Sequence, residues 1–203
     1  TVKTRKETII YCSVSGYGQV GQMSMLGGHD LNYLAVSGVL SQLKQENTPI
    51  VPTLQLADFF GGFNVTEAIL AAIIKRIQTN EGSYLDLALV DPLLSILQTN
   101  FLQYAEAGKH KGLDELNGNF HCYSIYETSN GRYVVLAALE LKFWTNFCLA
   151  VDKREWISNH LKICPILKTE IASLFKQKTW EEWYSFSLQV DCCLTPILEI
   201  NEI

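Results

Sequence analysis

The residues best placed to move a proton lie in one short stretch, Gly27-Gly28-His29-Asp30-Leu31-Asn32-Tyr33. A glycine pair closes a loop, and an imidazole, a carboxylate, a carboxamide and a phenol follow it. From Leu34 onward the apolar positions Leu34, Val36, Val39, Leu40 and Leu43 fall at helical spacing, which carries a helix to about Lys44. His29 therefore stands where a glycine-rich loop becomes a helix. Such a place offers backbone freedom, amides without intrahelical partners and the positive end of a dipole. An imidazole there is a candidate general base. The plainer alternative has Asp30 or Asn32 capping the helix and His29 on the surface.

Three further carboxylates belong with it. Asp58 lies in Leu54-Gln55-Leu56-Ala57-Asp58-Phe59-Phe60-Gly61-Gly62. A single carboxylate inside an apolar, glycine-ended run is expected to be poorly solvated, which suits it to proton transfer; a cap or turn before the glycines is its structural alternative. Asp91, just before Pro92, reads as the N-cap of a helix with proline at its first position. Glu140 opens a helix after a strand, where its charge suits the helix dipole.

These residues need a scaffold, and the hydrophobic periods outline one. Glu7 to Val14 reads as a buried strand. It runs into Gly16, Gly18 and Gly21 at G-x-G-x-x-G spacing, but the loop continues to Gly28 instead of opening a helix at Gly21. The end of a strand is where open α/β sheets bind ligands. Gln45 to Pro52 is a connector. Asn64-Val65-Thr66-Glu67 reads as a capping box for a helix over residues 68–78, and residues 84–89 read as a strand. The polar, glycine-bearing residues 105–119 form a linker. Beyond them, residues 120–126 and 133–138 are two strands of a hairpin turned at Asn130-Gly131. Helices follow over residues 140–150, 156–160, 165–177 and 179–188, the last opened by Thr179-x-x-Glu182. Trp180, Trp183, Tyr184 and Phe186 are expected in a core.

The totals exclude several classes. With 203 residues, 48% hydrophobic, 18% charged and a net charge of −5, the chain has the composition of a folded domain or two and no basic run for nucleic acid. No window approaches the roughly 18 apolar residues of a membrane span, so no membrane partner is expected. The first residues hold neither an initiator Met nor an apolar leader core, as in a fragment or processed product. Cys12, Cys122, Cys148, Cys164, Cys192 and Cys193 show no Cys-x-x-Cys spacing and are expected to be reduced thiols of a cytoplasmic protein. His29, His110, His121 and His160 lack metal-ligand spacing, so no metal is expected.

Four stretches in order resemble the family III CoA-transferases (CaiB/BaiF), the group that includes the α-methylacyl-CoA racemases. They are Tyr11-Cys-Ser-Val-Ser-Gly-Tyr-Gly-Gln-Val-Gly21, Gly28-His-Asp-Leu-Asn-Tyr33 with Ser37-Gly38, Leu56-Ala-Asp-Phe-Phe-Gly-Gly62, and Asp86-Leu-Ala-Leu-Val-Asp91. Ala138-Leu-Glu-x-Lys-Phe-Trp144 and Asp191-Cys-Cys-Leu-Thr-Pro-Ile-Leu198 fit as well. The resemblance implies an α/β fold: part of a Rossmann-like open α/β domain plus a smaller α+β domain, of the interlocked-dimer type. The implied parts are residues 1–105, a partial large domain with the catalytic motifs, residues 106–190, the small domain, and residues 191–203, the start of a return segment. Family members are longer, so the chain resembles the interior of one.

By that resemblance the substrate is an acyl-CoA thioester, the assembly a homodimer, and no metal or redox cofactor is needed. His29 and Asp58 would be the two proton-transfer groups, and Glu140 would bond to His29 and set its protonation. Gly28, His29, Asp30, Leu31, Asn32 and Tyr33 would bind substrate. Transferases instead use an aspartate matching Asp91, which forms an acyl anhydride and then a thioester. Histidine between glycine and aspartate resembles the racemase branch, so epimerisation of 2-methyl-branched acyl-CoA is the expected activity. CoA transfer through Asp91 and an inactive dimerising fragment are the alternatives. The cytoplasm is the expected location, with a peroxisome or mitochondrion as the eukaryotic variants.

Overall fold

β-branched and aromatic residues form β1 (Ile10–Ser15), which pairs in parallel with β4 (Ser83–Ala88) from Ile10 against Ser83 to Ser15 against Ala88. Parallel neighbours need a long crossover, and here it carries the two helices that matter most. α1 spans Asp30–Ser37 and α2 spans Leu56–Thr79, with a small ribbon of β2 (Lys44–Gln45) and β3 (Thr48–Pro49) between them. α3 (Asp91–Ile96) follows β4, and α4 (Gln98–Ala107) follows α3. The coordinates, a computed structural model, describe residues 6–45 and 47–203. Residues 1–5 of the expected leaderless start, and Glu46 of the expected connector, lie outside them.

The chain divides into two units, Thr1–Leu102 and Gln103–Ile203. In the first, Tyr33, Leu34, Val39, Ala57, Leu93 and Leu97 form a small core shared by α1, α2 and α3. Several expected boundaries move. The helix after His29 ends at Ser37, not near Lys44, because Gly38 adopts φ 91° and its N–H returns to the Ala35 carbonyl. A short 3-10 turn, Val39–Ser41, carries Val39 and Leu40, and Leu43 lies beyond it. The expected capping box at residues 64–67 starts nothing. α2 runs continuously through it, with the Thr66 hydroxyl bonded back to the Gly62 carbonyl at 2.9 Å. Asp91 is the first residue of α3 rather than its cap, Val90 taking that place. The expected linker begins later, since α4 persists to Ala107.

β1 is not the buried strand its sequence suggests, for Tyr11 and Val14 are each nearly half exposed. Tyr11 and Tyr84, partners in register, stack at 5.7 Å in the open. α2 buries Ala57, Gly61 and Ala72 but exposes Phe59, Phe63, Leu70, Ile74 and Ile77. By length and composition alone it suffices to cross a membrane, with a mean hydropathy of 1.4 over its best window. No unbroken apolar run marks it in the sequence, because Asp58, Asn64, Thr66 and Glu67 interrupt it.

The second unit is built on the hairpin of β5 (Tyr123–Glu127) and β6 (Tyr133–Ala137), with β7 (Leu194–Pro196) on the far side of β6. α5 (Leu141–Ala150), α6 (Pro165–Phe175) and α7 (Trp180–Ser187) accompany this antiparallel sheet. Aromatic rings fill the core. Phe175 lies within 5.8 Å of Tyr126, Phe147 and Trp183, and the indole N–H of Trp183 donates to the Phe175 carbonyl. The expected box opens α7: Glu182 N–H donates to the Thr179 hydroxyl and Thr179 N–H to the Glu182 carboxylate. Arg132 lies 3.5 Å over the Trp180 ring and pairs with Glu202 at 2.6 Å, which ties down the last residues. No disulfide joins the six cysteines, and burial pushes the Cys148 and Cys192 thiols up to about 12 and about 11.

One core residue couples this unit to pH. His121 is fully buried against Trp144, and neither ring nitrogen has a hydrogen-bond partner. Burial, then the charges of His160 and Lys168, push its pKa down from 6.5 to about 4. Above 6.5 the ring is neutral folded or unfolded, so no penalty exists. As pH falls from 6.5 to 4 the unfolded chain takes a proton that the fold refuses, so stability is lost across that window, at most about 3 kcal/mol. All four tryptophans lie beyond residue 102 and report on this unit. Urea unfolding followed by their fluorescence should show that loss between pH 7.5 and 4, and His121→Phe should show a much flatter dependence.

Candidate active site

Around His29, tyrosine rings and two glycines set the backbone. Tyr17 and Tyr33 meet edge to face at 5.2 Å, and the Tyr33 hydroxyl donates to the Gly28 carbonyl at 2.6 Å. A Cβ at Gly16 would stand 2.5 Å from the Tyr33 oxygen, and one at Gly28 would stand 2.7 Å from the Tyr17 oxygen. Only glycine admits both rings. Upstream, the N–H of Gln19 donates to both oxygens of Asp86 at 3.1 and 3.2 Å, and its side chain reaches Ser13. This fastens the glycine loop to both strands. Its sole mark in the sequence is a carboxylate at an exposed position of a strand.

His29 is the N-cap residue of α1, extended at φ −126°, ψ 175° and exposed to solvent. Its N–H donates to Asn32 Oδ1 at 3.0 Å, while its carbonyl accepts from Asn32 and Tyr33. Asn32 therefore does the local capping. The amides of Asp30 and Leu31 precede the first intrahelical bonds and face outward from the helix end.

Asp30 does not cap its own helix. Its Oδ1 accepts from the N–H groups of Ala57 at 2.6 Å and Asp58 at 3.1 Å, at the start of α2. Asp58 occupies the first turn of α2. The structure overturns the expectation of a desolvated carboxylate there: Asp58 is exposed, because the apolar run around it is helical and turns this position outward. Its charge still reaches Tyr33, whose pKa is raised by burial first, then by Tyr17 and Asp58. Asp91 is exposed in the first turn of α3, whose Leu93, with Leu97 just past its end, shares the core of α1 and α2.

Thus the first unit gathers His29, Asp30, Tyr33 and Asp58, with Leu31 and Asn32 exposed beside them. Glu140 belongs to the second unit, where it is the exposed N-cap residue of α5 at φ −82°, ψ 139°. An exposed imidazole and an exposed carboxylate on helix ends joined by a hydrogen-bonded bridge can serve proton transfer to and from a bound carbon acid. Among the described residues no group of three or more His, Cys, Asp or Glu side chains is arranged to hold a metal ion.

Known proteins share this arrangement of sequence. A family model for CoA-transferase family III matches residues 1–203. Human alpha-methylacyl-CoA racemase is 33% identical over 96% of this chain and 53% of its own length. Human succinyl-CoA:glutarate CoA-transferase is 31% identical over 76% of this chain and 37% of its own. A CaiB/BaiF family protein from Brucella suis has the same fold, with a TM-score of 0.80 and 20% identity over 99% of this chain and 56% of that one. The chain thus spans about half the length of the racemase and of the Brucella protein.

The glycine contacts predict a graded loss of stability in the first unit. Tyr33→Phe, which removes one hydrogen bond, should cost about 1 kcal/mol. Gly28→Ala, which drives a methyl group into two rings, should cost more, on the order of 1–3 kcal/mol. Hydrogen exchange of the α1 amides is the measurement, since this unit has no tryptophan.

Proposed function

Because the chain belongs to CoA-transferase family III, we propose that it carries the proton-transfer centre of an enzyme that epimerises 2-methyl-branched acyl-CoA thioesters. A thioester carbonyl acidifies the neighbouring C–H. A base takes that proton, the C–H electron pair moves into the carbonyl, and a planar enolate forms. An acid on the opposite face returns a proton to the same carbon, inverting it. His29 and Asp58 fill these two roles, exchanging them with the direction of reaction. The unpaired amides at the start of α1 suit the enolate oxygen. Glu140 is assigned to setting the protonation state of the base. No metal or redox group is required by this chemistry, and a homodimer is part of the same reading.

The observation that carries the proposal is the Asp30 bridge, which puts His29 and Asp58 at two adjoining helix starts. The similarity to a protein named as a racemase supports it. CoA transfer is the second reading. It is favoured by the similarity to a named CoA-transferase and by the exposure of Asp91, which could attack an acyl-CoA carbonyl and expel the thiolate.

The two readings separate in deuterated water. Epimerisation predicts α-deuterium in a 2-methylacyl-CoA, falling roughly 100-fold or more in His29→Ala and in Asp58→Asn. CoA transfer predicts no α-deuterium, dependence on an acceptor acid, and an Asp91 adduct trapped by hydroxylamine. Exchange that survives both first-named substitutions would rule out the assigned pair.

A further inference from the structure

α2 begins without a cap of its own. The residue in that place, Gln55, makes no capping hydrogen bond with its side chain, so the first amides of the helix need another acceptor. A local N-cap side chain would take the N–H groups of the second or third helical residue. Here those are Ala57 and Asp58, and both donate to one oxygen of Asp30, 27 and 28 positions back in the sequence. The cap is borrowed from the start of another helix, and the lending residue is the neighbour of His29.

We propose that Asp30 is the positioning residue of the proton-transfer pair, its carboxylate fixing the separation of His29 and Asp58 rather than binding substrate. The proposal rests on the racemase reading. Three links join the two groups: the peptide from His29 to Asp30, the Asp30 side chain, and the hydrogen bond onto the amide of Asp58 itself. No flexible loop intervenes, although residues 38–55 separate the helices in the chain. Charge-assisted bonds at 2.6 and 3.1 Å from a helix end to a carboxylate are the strong kind. The resemblance implies that Asp30 binds substrate; its Oδ1 is committed to α2, while its amide remains among those offered to the enolate oxygen. Reaction by two groups on opposite faces of one carbon tolerates little misplacement, about 1 Å being enough to cost roughly 100-fold.

A second cap separates positioning from mere helix stability. Asp30→Ala should lower kcat for α-deuterium exchange roughly 100-fold with KM changed less than about 3-fold. Asp30→Asn, which keeps an acceptor oxygen, should recover most of that loss. Asp30→Ala combined with Gln55→Asp restores a local cap on α2, so stability towards urea should return while exchange stays low. Recovery of exchange in that double variant, a change confined to KM, or a kcat within about 2-fold of the parent would each overturn the proposal. If the unsubstituted protein exchanges no α-proton, the racemase reading fails, and the same samples still decide the positioning role by NMR. Asp30→Ala should then shift the amides of Ala57 and Asp58 together with the His29 ring signals. Shifts limited to Ala57 and Asp58 would overturn it.

Discussion

The first turn of a helix has amides that its own ladder cannot satisfy, and the fate of those at the start of α2 organises the first unit. Gln55 leaves them open, and Asp30 fills them from the neighbouring helix end. That bond holds the two helix starts together where the core beneath them is small, a hydrophobic cluster of six buried residues among the described ones: Tyr33, Leu34, Val39, Ala57, Leu93 and Leu97. With so little apolar contact to fix their relation, a pair of charge-assisted hydrogen bonds weighs heavily. The glycine loop leads into the start of α1, held to the strands by Asp86 and shaped by the Tyr17–Tyr33 pair.

The second unit is built on a different balance. Seventeen buried residues form its core, and the rings of Tyr126, Phe147 and Phe175, stacked, with Trp183 tilted against Phe175, fill the centre. The first unit leaves apolar surface on β1, β4 and α2 uncovered, and the chain spans about half of the relatives it matches. Its parallel sheet has two strands among the described residues, where such sheets are ordinarily covered on both faces.

Features set by local chemistry were legible in the sequence. The hairpin at Asn130-Gly131, the box at Thr179 and Glu182 and the loop-to-helix junction at His29 all depend on residues a few positions apart; of the aromatics expected in a core, Trp180 and Trp183 are buried but Tyr184 is exposed. The ordered motifs carried the family. What the sequence hid was long-range. Asp30 looks like a local cap, and nothing near it says that its partners lie at Ala57 and Asp58. Asp58 looks buried because its neighbours are apolar, yet a helix turns one position in several outward. Asn64 to Glu67 has the composition of a helix start, but continuous packing against the sheet overrides a local box. The helix after His29 stops early because Gly38 takes a left-handed conformation, a choice that hydrophobic spacing does not encode.

The central claim is that His29 and Asp58 act on one carbon from opposite faces. A crystal structure of the protein with a planar enolate mimic of a 2-methylacyl-CoA tests it most directly. The account predicts the imidazole on one face of the mimic's α-carbon and the Asp58 carboxylate on the other, each within hydrogen-bond reach. Both groups on the same face, or either one turned away while Asp91 contacts the thioester carbon, would contradict it.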